Sequence, residues 1–133
     1  MISRYLNHFR QSPGSVIFEP AVDANLTRID AELTSRNFSA IPGEYRNFLK
    51  LNDGLIFNGI EFYGSIPHYR EKKNYTFPNL ITVNEYYLNY DYFIRKLVIG
   101  RISENILLYD GAENVYSVTD RINPVSYTHL RAH

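Results

Sequence analysis

Ile41-Pro-Gly-Glu-Tyr-Arg-Asn-Phe-Leu-Lys-Leu-Asn-Asp-Gly54, continued by Leu55-Ile-Phe-Asn-Gly-Ile-Glu-Phe-Tyr-Gly64, encodes a helix, a stop and a hairpin in 24 consecutive residues. Pro42 stands where a helix begins, because the N–H it lacks would be unpaired there in any case. Tyr45, Phe48, Leu49 and then Leu51 follow at near-helical spacing, so one face of that helix is apolar. Asn52 bonds the backbone at the helix end, and Gly54 supplies a left-handed residue that stops it. Asn58-Gly59, between Leu55-Ile-Phe57 and Ile60-Glu-Phe62, is the dipeptide that a two-residue type I′ hairpin requires.

Outward from this stretch the same two periods recur. Ile2, Tyr5, Leu6 and Phe9 predict a short amphipathic helix over 2–10, broken by Ser12-Pro-Gly-Ser15. Pro20 opens a second helix whose stripe is Val22, Leu26, Ile29 and Leu33, with Asp23, Arg28, Asp30 and Glu32 toward water. Ile41 is placed as a hydrophobic staple outside the third. Residues 65–78 carry prolines and charges without a period and read as a loop with room for one short strand. Asn79 caps a helix running to about Asn89, with Leu80, Val83, Tyr87 and Tyr86 inward. Residues 93–101, 105–109 and 115–119 have β composition, and the turn at 110–114 has Gly111 available for positive φ. Strands joined by short turns predict an antiparallel meander with the N-terminal helices packed on one side, an α+β fold.

A helix-opening Pro42, Tyr45, the Phe48-Leu49 pair, the Asn52-Asp-Gly54 stop and the aromatic-glycine hairpin with Gly59 and Gly64 together resemble the central motif of the SUKH superfamily. Leu97-Val-Ile-Gly-Arg-Ile102, Ile106-Leu-Leu-Tyr-Asp-Gly111 and Val115-Tyr-Ser-Val-Thr-Asp-Arg-Ile122 are similar to its later part, nearest the YrhA-like bacterial branch. The resemblance covers roughly residues 21–122. It implies a sheet with helices beside it and a protein that binds other proteins. The superfamily includes bacterial toxin-immunity proteins and yeast cell-wall assembly regulators, so two functions follow as expectations. One is a cytosolic immunity protein that occludes a cognate toxin. The other is an endogenous regulatory or scaffold adaptor. A small-molecule binder with a pocket between helices and sheet is a third.

Composition narrows the field. A chain of 133 residues, 44% apolar and 21% charged, is long enough to close one core. Fourteen basic and fourteen acidic residues cancel, without the basic excess expected of a nucleic-acid binder. Arg70, Lys72 and Lys73 form the densest basic cluster, interrupted by Glu71, and read as a solvated loop. Cysteine is absent, which removes disulfides and thiolate chemistry. No run reaches the roughly 20 apolar residues of a membrane span, and the N-terminus lacks the apolar core of a secretory signal. The expected location is the cytoplasm.

No catalytic constellation stands out. His8 and His68 lie apart from any serine elbow or second ligand, and no phosphate loop follows the glycines. Glu44, Asp53 and Glu61 can approach across the helix–hairpin junction, but Glu44 suits the positive end of a helix and Asp53 its stop. Neither enzyme activity, a metal nor a cofactor is therefore expected. The chain has twelve Tyr, eight Phe and no Trp. Tyr86, Tyr90 and Tyr92, interspersed with Glu85 and Asp91 and near Tyr87 and Tyr75, form the candidate partner surface, because tyrosine combines apolar area with a polar tip. The final Val125-Ser-Tyr-Thr-His-Leu-Arg-Ala-His133 has no period and reads as a translated sequencing adapter, which assigns residues 1–124 to one domain and 125–133 to a non-native tail. His129 and His133, four apart, lie in that tail and are given no metal role.

Overall fold

A computed structural model describes residues 14–120 and the strand at 126–131. The helix expected over 2–10 and His8 lie outside the described residues. Seven strands form an antiparallel sheet in the order β1-β2-β3-β6-β7-β8-β9, with β1 at Val16–Ile17, β2 at Leu55–Phe57, β3 at Ile60–Phe62, β6 at Lys96–Ile102, β7 at Asn105–Asp110, β8 at Val115–Asp120 and β9 at Ser126–Arg131. Strands β4 (His68–Arg70) and β5 (Tyr75–Phe77) form a separate two-stranded sheet. Among the described residues three α-helices, α1 (Asp23–Ser35), α2 (Gly43–Leu51) and α3 (Leu80–Glu85), complete an α+β fold.

The deciding stretch folds largely as its residues dictate. Asn58 and Gly59 both take positive φ, 46° and 85°, the signature of a type I′ turn. Leu55 then pairs with Phe62, and Ile56 with Glu61. Tyr45, Phe48 and Leu49 are buried, whereas Leu51 is 45% exposed and lies off the apolar face. Pro42 is the N-cap residue of α2 and Gly43 its first helical one, a shift of one position.

Two details depart from expectation. Helix α2 ends because Asn52 goes extended (φ −153°), not because a left-handed residue caps it. Gly54 (φ +106°) instead bends the chain into β2, its N–H donating to the Asn52 carbonyl at 2.8 Å. A Cβ there would stand 2.7 Å from the Phe62 carbonyl, so glycine is needed for both conformation and space. Helix α1 begins at Asp23 and not at Pro20, and Val22 caps it while 56% exposed. The preceding segment is held extended, because Ala21 N–H donates to Leu49 O (2.9 Å) and Glu19 O accepts from Asp53 N–H (2.8 Å). These pairings tie the chain to α2 and the residues just after it as far as Ala21, and the helix starts beyond the extended Val22.

The core joins all three helices to the sheet: Leu26, Ile29 and Leu33 from α1, Tyr45, Phe48 and Leu49 from α2, Leu80 and Ile81 from α3, and Leu97, Val98, Ile106 and Leu108 from the sheet. Tyr45 holds the layers in register, since its hydroxyl donates to the carbonyls of Tyr63 and Ile99, the latter at 3.0 Å. Positive φ in the 110–114 turn falls to Asn114 (56°) and not to Gly111. The segment read as a foreign tail supplies β9 along β8, Tyr116 opposite Leu130, with a register shift between Val118 and Thr119. An unpaired strand edge accepts any extended backbone that reaches it, so this pairing does not depend on the origin of the segment.

Candidate functional site

Helix α3 decides where the tyrosines go. Asn79 caps it as its position predicts, Oδ1 accepting from Thr82 N–H at 3.1 Å. The helix stops at Glu85 instead of continuing to Asn89, and turns carry the chain to a short 3₁₀ segment at Asp91–Phe93. Buried Asn84 is the reason α3 sits against the sheet. Its Oδ1 accepts from Val98 N–H (2.8 Å), and its Nδ2 donates to Val98 O (2.9 Å) and Leu80 O (2.8 Å). One amide side chain thus does for β6 what a neighbouring strand would do, next to the register break between Val98 and Gly100.

Because the helix ends early, neighbouring tyrosines part company. Tyr87 is buried and stacks on Phe93 (centroids 4.2 Å apart). Tyr86, expected inward, is 73% exposed, and Tyr90 is 55% exposed. Both lean edge-on against that buried pair, Tyr86 at 5.0 Å from Tyr87 and Tyr90 at 6.4 Å from Phe93. Leu88 and Ile94 are also exposed in the same segment. Tyr92 is half-buried and packs on Phe93 with the Lys96 ammonium 4.5 Å above its ring. Asp91 is exposed. Glu85 is not a free acid on this surface, since it pairs with Arg36, the C-cap residue of α1. Tyr75 lies on β5, in the separate two-stranded sheet. The structure therefore gathers Tyr86, Tyr90, Asp91 and Tyr92 on one turn-rich segment. Arg95 N–H fixes its end by donating to Asn37 O at 2.8 Å.

A second group was not legible in the sequence. Asp53, buried, accepts from Ser65 N–H (2.6 Å), Ile66 N–H (3.2 Å) and His68 Nε2 (2.9 Å). The same Nε2 lies 2.9 Å from the Asp53 carbonyl oxygen, which can only accept, so Nε2 carries a proton. The imidazole stacks on Phe18 at 4.2 Å and 8°. An Asp–His pair is the nucleus of many general bases. Here the carboxylate is committed to two amides as well as the ring, a set of bonds that closes the Gly64–Pro67 loop over the end of α2. Gly64 makes this closure possible, because a Cβ there would overlap the Asp53 carbonyl.

The three carboxylates expected to approach one another take separate partners. Glu61 pairs with Arg101 (3.4 Å) and accepts from the Tyr63 hydroxyl (3.0 Å), Asp53 holds His68, and Glu44 lies near Tyr116. Burial, then the Asp53 charge, hold the Tyr45 phenol well above its ordinary range. Burial and Glu61 raise Tyr63, and burial followed by Glu44 raises Tyr116. Among the described residues no group of three His, Asp or Glu converges as a metal site would require, and no helix is long and apolar enough to cross a membrane. A cleft of about 150 Å³ opens between α1 and the 65–67 loop, with Ile29 and Ile81 in its wall and Arg28 and Glu32 beside it. No protein-family model matches the chain, and no curated protein matches it.

Proposed function

We propose that this chain is a non-enzymatic protein-binding module of the SUKH kind, a cytoplasmic immunity protein that neutralises a cognate toxin by covering its working surface. The observation that carries this is the exposed aromatic segment. Tyr86 and Tyr90 present their rings to solvent while resting on the buried Tyr87–Phe93 stack. Burying a large ring in the monomer is ordinary, but holding two outward on a preordered base lowers the cost of docking them on a partner. Leu88 and Ile94 add apolar area, and Asp91 gives the surface a charged rim that can steer an encounter.

Growth rescue tests the proposal. The chain is co-expressed with the toxin encoded beside its gene, and the Tyr86→Ala/Tyr90→Ala double variant is compared with the parent. Loss of rescue at unchanged thermal stability is expected, because neither ring is part of the core. Full protection by the variant removes this surface from the proposal. Absence of a toxin gene at that place favours an endogenous adaptor instead.

A further inference from the structure

Among the described residues the β4–β5 hairpin is the one element whose strands stand outside the main sheet, and its basic cluster was read as a solvated loop. Its root is fixed. His68 is bonded to Asp53, and opposite it in register Phe77 is fully buried, packed on Phe18 at 5.3 Å and Tyr63 at 5.5 Å. Beyond the root everything turns outward: residues 71–76 are all exposed, and a 3₁₀ turn at Glu71–Lys73 closes on Asn74 in the left-handed region (φ 46°). The Tyr69 hydroxyl donates to Asn74 Oδ1 at 2.8 Å, which braces the turn.

This braced arm carries Arg70, Lys72 and Lys73 against the single carboxylate of Glu71, on a chain whose overall charge is zero. None of the three cations enters an ion pair among the described residues, although five Lys or Arg side chains elsewhere do. Two exposed tyrosines flank them, Tyr69 (61%) and Tyr75 (46%). We infer that the β4–β5 arm is a second recognition element, and that it takes a carboxylate-rich segment of a protein partner.

Geometry selects that partner over other anions. Tyr69 is registered with Thr76, and Arg70 with Tyr75, so successive pairs face opposite sides of the hairpin. The two rings therefore cannot form one platform for consecutive bases, which single-stranded nucleic acid requires. At the tip stand Glu71-Lys-Lys-Asn74, with no aliphatic side chain, Phe or Trp to enter a bilayer. What remains is a stiff point of positive charge with a tyrosine on each face. It suits carboxylates carried on a polypeptide, where the rings contact side-chain carbon and the cations meet the acids.

The inference rests on reading the chain as a protein-binding module, and it is tested without any toxin. Fluorescence anisotropy is measured with a labelled glutamate-rich peptide, an oligo-dT of equal length, and vesicles of phosphatidylcholine containing phosphatidylserine. The peptide is expected to bind, more weakly as salt rises, and the Arg70→Glu/Lys72→Glu/Lys73→Glu variant is expected to lose about tenfold or more in affinity. Lys72→Glu/Lys73→Glu, confined to exposed positions, repeats the test if the triple change disturbs folding. The Tyr86→Ala/Tyr90→Ala variant retains peptide binding, which separates failure of the arm from failure of the tyrosine surface. No binding of the peptide, binding indifferent to the charge reversals, or tighter binding of the oligonucleotide or the vesicles overturns the inference.

Discussion

Replacing Asn84 is the sharpest test of how α3 and its tyrosines are held. The side chain is fully buried and is bonded to both polar groups of Val98. Asn84→Ala leaves the Val98 N–H and C=O without those partners in a place water does not reach. Each orphaned group costs about 1–3 kcal/mol, so the pair costs about 4 kcal/mol. That is a large share of the roughly 5–15 kcal/mol that keeps a domain folded. Leu80 O contributes less, since it also lies within the helix ladder.

Asn84→Asp separates this account from simple loss of packing. The introduced carboxylate still accepts from Val98 N–H, but it turns lone pairs toward the carbonyls of Val98 and Leu80. Its ionised form is disfavoured by burial and by those two dipoles, so its folded pKa rises above the unfolded value of about 3.9. Between the two values the folded state binds more proton than the unfolded state, and stability falls as pH increases. The aspartate variant should therefore be less stable than the alanine variant at pH 7 and should regain stability toward pH 4, where the carboxyl again donates. Urea unfolding at several pH values measures both, each referred to the parent at the same pH. An aspartate variant within about 1 kcal/mol of the parent at pH 7, or one whose deficit does not change with pH, refutes the bridging role of the amide.

Other expectations follow from single contacts. Gly64→Ala should cost about 3 kcal/mol or prevent folding, since the new methyl meets the backbone carbonyl of Asp53 as well as its hydrogen-bonded carboxylate; circular dichroism and thermal unfolding check this. Asp53→Ala should be more destabilising than His68→Ala by about 1–2 kcal/mol, because only the former strands the amides of Ser65 and Ile66, as paired urea titrations would reveal. Tyr45→Phe, which removes the donor to Tyr63 O and Ile99 O, should cost about 1–2 kcal/mol in the same assay. The raised phenols of Tyr45, Tyr63 and Tyr116 contribute stability that is complete below their unfolded pKa of about 10 and is lost as pH climbs above it. Tyrosinate absorbance should then show these three ionising only with unfolding.

Local chemistry was legible, and tertiary bookkeeping of backbone groups was not. Asn58-Gly59 and Asn79 act on atoms within three residues of themselves, so their roles can be read from spacing alone. Helix α1 was misplaced by three residues at its start because the extended backbone of Glu19 and Ala21 is claimed by the end of α2, about 30 residues later in the chain. Asn84 looks like any polar residue on a helix; only the approach of Val98, fourteen positions on, makes it a buried bridge. Asp53 was correctly placed at the stop, but its partners Ser65, Ile66 and His68 come from a stretch that carried no period. That stretch was read as a loop with room for one short strand, and it forms two, β4 and β5, because strands of three residues are too short to show alternation. Tyr87 is buried as its spacing predicts, whereas the early end of α3 at Glu85 leaves Tyr86 facing outward.

These particulars bear on what the chain can do. A buried polar side chain is useful for chemistry only if some of its capacity stays uncommitted, because a proton or a substrate needs a free lone pair or donor. Asp53 gives its oxygens to two amides and an imidazole, Asn84 its amide to Val98 and Leu80, Asn79 its oxygen to Thr82 and its amine to Ser65, and Tyr45 its hydroxyl to two carbonyls. Each repairs a place where α2, α3 or the 64–67 loop leaves main-chain groups that the sheet does not pair. Exposed rings and charges stand on two elements, the tyrosines beyond α3 and the cations of the β4–β5 arm, and each is seated on a rigid base. Rings and charges held ready at a surface serve recognition by contact, and this is the ground on which a binding function is proposed ahead of a catalytic one.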